Sequence, residues 1–73
     1  MAIIDIKTEI TGNVWKIVRQ VGDSIEEDEP ILILESMKME IPVAAPEPGV
    51  VTEIFVVEEE TVNEGAVVAR MEV

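Results

Sequence analysis

Cysteine and histidine are both absent from the 73 residues. Without cysteine there is no disulfide, iron–sulfur ligation or thiol nucleophile, and without histidine there is neither an imidazole base nor a usual zinc site. Most hydrolytic and redox chemistries therefore lack their ordinary residues, no catalytic or metal-ligating residue is assigned, and a self-contained enzyme is the weakest class of function. Basic residues are scarce as well, since five Lys plus Arg face sixteen Asp plus Glu for a formal net charge of −11. Such a surface repels phosphate backbones and anionic headgroups, which makes nucleic acid and membrane poor partners. No apolar run approaches the roughly 20 residues that span a bilayer. The opening Met-Ala-Ile-Ile-Asp-Ile-Lys lacks the basic-then-apolar layout of a signal peptide, so a cytoplasmic location is expected.

Forty-eight per cent of the side chains are apolar, far more than a disordered chain of this acidity would carry, and residues 1–73 are expected to form a single domain. A chain this short buries only about 60% of the surface its unfolded form exposes, and the core must hold by packing alone. Val and Ile dominate in short segments bounded by Gly, Pro, Asn or Asp, which reads as all β with no long helix. The expected strands are Ile3–Ile6, Asn13–Arg19, Ser24–Ile25, Ile31–Ser36, Glu40–Ala44, Val50–Val57, Thr61–Val62 and Ala66–Glu72.

Sliding the sequence against itself by 37 residues aligns Ile4 with Ile41, Gly12 with Gly49, Val14 with Val51, Ile17 with Ile54, Glu27 with Glu64 and Glu35 with Glu72. Conservative pairs such as Ile6 with Val43, Ile25 with Val62 and Leu34 with Met71 fall in the same register. Residues 3–36 and 40–73 thus read as two copies of one four-stranded motif, neither able to bury an apolar face alone. Together they are expected to make a flattened eight-stranded barrel or sandwich with a pseudo-two-fold axis. Only Met37, Lys38 and Met39 join the copies, the length of a tight hairpin. By symmetry the termini meet at the opposite end. Gly22-Asp23 and Asn63-Glu64-Gly65 mark chain reversals, with Asp28 at the place of Gly65. Pro42 makes the fifth strand an edge.

The unusual stretch is Glu35-Ser36-Met37-Lys38-Met39-Glu40. Turns favour Gly, Asn, Asp and Ser, yet this one sets a lysine between two large apolar methionines. The methionines either fold back to cap the barrel end or present an adaptable apolar patch to partners. Glu35 and Glu40 either orient the turn, meet a basic partner surface, or are simply solvated. Glu58-Glu59-Glu60 reads as a solvated acidic loop, because consecutive strand residues face opposite ways and cannot share one cation. Trp15, the single tryptophan, is expected to pack the barrel rather than a ligand.

Taken together these residues resemble the biotinyl and lipoyl attachment domains, in which one lysine of a central hairpin is covalently modified. The resemblance covers nearly the whole chain, through Glu35-Ser36-Met37-Lys38-Met39-Glu40 and the glycine-centred Val21-Gly22-Asp23-Ser24-Ile25 and Val62-Asn63-Glu64-Gly65. It is strongest to the small free-standing biotin/lipoyl attachment proteins of the biotin carboxyl carrier type. The long loop that some carriers insert between strands 2 and 3 is missing, since only Gln20–Asp23 are available there. Ser36 departs from the commoner alanine, and Glu59-Glu60 stand where Gly-Asp is usual, which raises the question of that turn's geometry.

The resemblance implies a non-catalytic, monomeric carrier whose cofactor is biotin on Lys38, with Glu35, Ser36, Met37, Met39 and Glu40 as flanking recognition residues. A lysine of ordinary pKa, about 10.4, is neutral in only about one molecule in a thousand at pH 7. A biotin protein ligase would therefore supply an activated acyl group. A biotin carboxylase and a carboxyltransferase would be the further partners, and the tether would raise the local cofactor concentration. Lipoate is the alternative cofactor and fits the methionine flanks less well. An unmodified acidic interaction module is the remaining reading.

Overall fold

The computed structural model describes residues 2–73; Met1 lies outside the described residues. Eight strands follow one another: β1 Ile3–Lys7, β2 Gly12–Ile17, β3 Ser24–Ile25, β4 Pro30–Ser36, β5 Met39–Ala44, β6 Gly49–Ile54, β7 Thr61–Val62 and β8 Val67–Glu72. There is no helix among the described residues. The strands form two antiparallel sheets, ordered β1-β8-β6-β3 and β5-β4-β2-β7. A shift of 37 residues turns one order into the other, so the duplication is a two-fold of the fold itself.

The sheets are not the two halves. Each takes two strands from residues 3–36 and two from residues 40–73, so β1 finds its hydrogen bonds on β8 and β7 on β2. The core obeys the same symmetry. Ile6 with Val43, Val14 with Val51, Ile25 with Val62, Ile31 with Val68, Leu32 with Ala69, Leu34 with Met71 and Thr8 with Ala45 are buried as equivalent pairs, and only Val56 is buried without such a mate. Thr8, the one buried polar residue among those described, donates from its hydroxyl to the Ile10 carbonyl at 2.9 Å and accepts from the Ile10 N–H at 3.2 Å. Its hydrogen-bonding capacity is thus met locally, as burial requires.

The backbone hydrogen bonds of the turns repeat. Gly22 takes φ +99° and Glu59, its equivalent, φ +75°. The Gly22 N–H donates to Val51 and the Glu59 N–H to Val14, both at 2.7 Å. Asp23 accepts from the Gln20 N–H at 2.8 Å through its side chain, and Glu60 accepts from the Val57 N–H at 3.1 Å in the same way. Glu59-Glu60 therefore builds the same turn as Gly22-Asp23, with Glu59 carrying the cost of a left-handed backbone. Asp28 and Gly65 likewise match, at φ +68° and +86°. The Gln20–Asp23 connection is a bare turn, without an inserted loop.

Three expectations need correction. Strands β2 and β6 stop at Ile17 and Ile54 rather than at Arg19 and Val57. Both contain a register shift, at Val14/Lys16 and Val51/Glu53, and beyond it the Val18 and Arg19 N–H groups converge on the Ile31 carbonyl; such bulges bend a strand away from its ladder. Trp15 is the residue passed over at the first shift, and it lies 42% exposed instead of in the core. Met39 belongs to β5, paired with Ser36, which leaves a two-residue turn.

Gly49 sits where β6 crosses close to β8. A Cβ there would collide with the Glu72 carbonyl oxygen and stand 2.9 Å from Met71 Cε. The substitution G49A is expected to cost about 2 kcal/mol of stability through overpacking, measured as a lowered urea midpoint. G22A, with open space around the added carbon but an unfavourable φ, should cost about half as much.

Candidate functional site

The chain changes sheet at every connection but one. β1 to β2, β2 to β3, β3 to β4, β5 to β6, β6 to β7 and β7 to β8 all cross the sandwich, whereas β4 and β5 are neighbours in one sheet. Their link is the only hairpin among the described residues, and its counterpart by the two-fold is the place where Ala2 and Val73 exchange backbone hydrogen bonds at 3.1 and 2.9 Å. The molecule measures 36 × 17 × 17 Å. The hairpin and the Ala2–Val73 pairing stand at equivalent positions of the two-fold.

Ser36 pairs with Met39, leaving Met37 and Lys38 as the two turn residues, at φ +51° and +66°. Positive φ at both central positions is the geometry of a type I′ turn, which matches the twist of the strands and normally recruits Asn-Gly. For residues with a Cβ it costs roughly 1–2 kcal/mol each. The strands hold it in place: Glu35 pairs with Glu40 and Leu34 with Ile41. Gly12 lets β2 lie against them, since a Cβ at that position would stand 2.8 Å from the Glu35 carbonyl oxygen.

The hairpin points its side chains into solvent. Met37 is 93% exposed and Met39 63%, so neither caps the core. Lys38 is exposed too, and the ion pairs among the described residues belong to Arg19 and Arg70. An exposed amine in a hairpin turn suits covalent attachment of a long acyl arm, because no carboxylate among the described residues pairs with it. Glu35 and Glu40 stand directly opposite one another, an arrangement of like charges that sheets disfavour by a few tenths of a kcal/mol. Neither carboxylate holds the turn by a hydrogen bond among the described residues. The structure thus brings Glu35, Ser36, Met37, Lys38, Met39 and Glu40 together at one end.

Elsewhere several carboxylates serve the fold. Glu58 accepts from the Ile17 N–H at 3.1 Å and Glu60 from Val57, and among the described residues no cluster of three or more metal-ligating side chains is present. On the opposite sheet Arg70 of β8 hydrogen-bonds Asp5 of β1 at 2.7 Å, lies 3.6 Å from Glu53 of β6 and covers the Phe55 ring at 5.1 Å. The hydrogen bond to Asp5, then its charge, raises the Arg70 pKa further above its already high value, so the guanidinium stays charged throughout the physiological range. Sequence reasoning missed the exposed Trp15. The signal was available in the duplication, where Trp15 falls opposite Thr52, a pairing foreign to a core position.

A family model described as "Biotin-requiring enzyme" matches residues 3–71. The biotin/lipoyl attachment protein of Bacillus subtilis is 42% identical over 66 residues, covering 90% of each chain. Among solved structures, the urea carboxylase of Kluyveromyces lactis superposes with a TM-score of 0.93 and 33% identity, over 99% of this chain but 6% of that one. The lipoyl domain of the 2-oxoglutarate dehydrogenase complex of Azotobacter vinelandii superposes with a TM-score of 0.78 and 29% identity, over 94% of this chain and 95% of that one.

The turn carries a stability cost that the site retains. Replacing it by Asn-Gly, as M37N with K38G, is expected to raise the unfolding free energy by about 1–2 kcal/mol while deleting the amine. An unchanged or lower urea midpoint would show that the turn is not strained.

Proposed function

The chain belongs to the biotin/lipoyl attachment family, whose members are non-catalytic carrier domains, and on that footing we propose that it is a biotin carboxyl carrier with Lys38 as the attachment residue. One observation carries the reading: Lys38 occupies the only in-sheet hairpin among the described residues of a two-fold fold, exposed between two exposed methionines. The chain itself supplies a presented amine and no general base beside it. Activation therefore falls to a biotin protein ligase, which delivers biotin as a mixed anhydride with AMP. The Lys38 amine forms the amide bond, AMP departs with the electrons of the broken anhydride bond, and the amine proton is lost to solvent. The hairpin, with Met37 and Met39 as an adaptable apolar contact and Glu35 and Glu40 beside it, is the surface the ligase reads.

When bound, biotin supplies the ureido nitrogen that carries carboxyl. The carrier's part is to present the arm first to a biotin carboxylase and then to a carboxyltransferase, as a monomer whose acidic body keeps it soluble and mobile. The likeness to a carboxylase over 99% of this chain supports that pairing. Lipoate is the second reading, favoured by the likeness to a lipoyl domain and disfavoured by the methionine flanks.

Intact-mass measurement on protein purified from its own cells, with peptide mapping around Lys38, tests the proposal. A biotinyl increment confined to Lys38 is expected, and K38R should fold normally and take up no label. A lipoyl increment, or labelling that persists in K38R, would sink it.

A further inference from the structure

The outer face of the β5-β4-β2-β7 sheet carries a feature that attachment alone leaves unused. Asn13, Val14, Trp15, Glu35 and Glu59 line an open groove of about 290 Å³. It starts at the row where Asn13 pairs with Glu35, one row from the Ser36–Met39 pair that closes the hairpin. Trp15 is 42% exposed, with the Lys16 ammonium 5.3 Å from its ring centroid. Asn13 Oδ1 accepts from the Thr61 hydroxyl at 2.6 Å, which leaves the Asn13 NH₂ as a donor. Glu58 and Glu60 are engaged by backbone N–H groups. Glu35 and Glu59 carry no side-chain hydrogen bond or ion pair among the described residues.

The duplication provides an internal control. The equivalents of Asn13, Trp15 and Glu59 in the other sheet are Val50, Thr52 and Gly22. The aromatic wall, the amide and the second carboxylate were therefore not required by the frame, and they stand only at the lysine-bearing end. Their chemistry is specific: two acceptors and one donor beside an aromatic surface. A cyclic urea fused to an apolar ring offers the complement, two N–H donors and one carbonyl acceptor.

We propose that this groove is a resting site for the bicyclic head of the biotinyl arm carried on the chain's own Lys38. The inference rests on the reading of Lys38 as the biotin acceptor. Trp15 lies three residues along the sheet from the Ser36 row, about 10 Å at 3.4 Å per residue. Lysine and a five-carbon acyl chain place about ten bonds of about 1.5 Å between backbone and ring, enough for the arm to fold back that far. Tethering makes a shallow groove sufficient. At an effective concentration of about 1 mM, a groove that binds the free head with a Kd of only about 1 mM is half filled, and the head leaves readily when an enzyme offers a better site.

The single tryptophan is the probe. Protein made with a biotin protein ligase is separated by mass into unmodified and biotinylated forms, and acrylamide quenching of Trp15 fluorescence is compared. Biotinylation is expected to lower the quenching constant about two-fold. The biotinylated double variant N13V with E59G, which installs the residues of the other half, should return to the unmodified value with the same mass increment. Equal quenching in the two wild-type forms, or protection that survives in the double variant, overturns the groove and leaves the attachment reading intact. Absence of any biotinyl increment overturns both.

Discussion

Neither half of this chain can complete a sheet from its own strands. β1 is hydrogen-bonded only through β8, and β7 only through β2, so residues 3–36 and 40–73 must fold as one body. Their apolar faces are buried by the same exchange, in pairs such as Val14 with Val51 and Leu34 with Met71. With no disulfide and one buried polar residue among those described, this shared core is what holds an 8.1 kDa chain together.

The exchange also makes the Lys38 end singular. Because the strands alternate between sheets, almost every connection must cross the sandwich, and a tight hairpin arises only where one copy passes into the next. The symmetry-related place is open, with Ala2 and Val73 bonded across it. A two-residue link therefore stands at one end, fixed on both sides by paired strands. Its positive-φ backbone at Met37 and Lys38 is a local cost that the surrounding ladders absorb. At this turn the Lys38 side chain stands exposed between the exposed Met37 and Met39.

Two-fold frames need not carry two-fold surfaces. At the centre of one outer face Arg70 bridges Asp5 and Glu53. On the other face the equivalent positions hold Ile33, Pro42 and Lys16, paired in the same register. The interior has to stay matched, since both copies pack against one another at crystal-like density, but the outer faces answer only to solvent and partners. Differences between equivalent surface residues are therefore where function has room to be written, and two of them, Trp15 against Thr52 and Glu59 against Gly22, flank the lysine-bearing end.

Much of this was legible in the residues alone. Val and Ile in short segments, the 37-residue repeat and the turn residues Gly22, Asp28 and Gly65 gave the strands and reversals, because backbone conformation and alternation are local properties. The same repeat marked Met37–Met39 as the join and set Lys38 apart from other lysines. Register shifts were not legible: the bulges that end β2 and β6 and turn Trp15 outward depend on which strand lies opposite. Nor was the identity of the sheets, since a strand's partners follow from the packing of the whole and not from its own composition. By itself the sequence determined which residues could be strand, turn and core, through propensity and periodicity. Only the tertiary structure decided which strands exchange partners and which side chains meet at the lysine end, because hydrogen-bond ladders and close packing join residues that are distant along the chain.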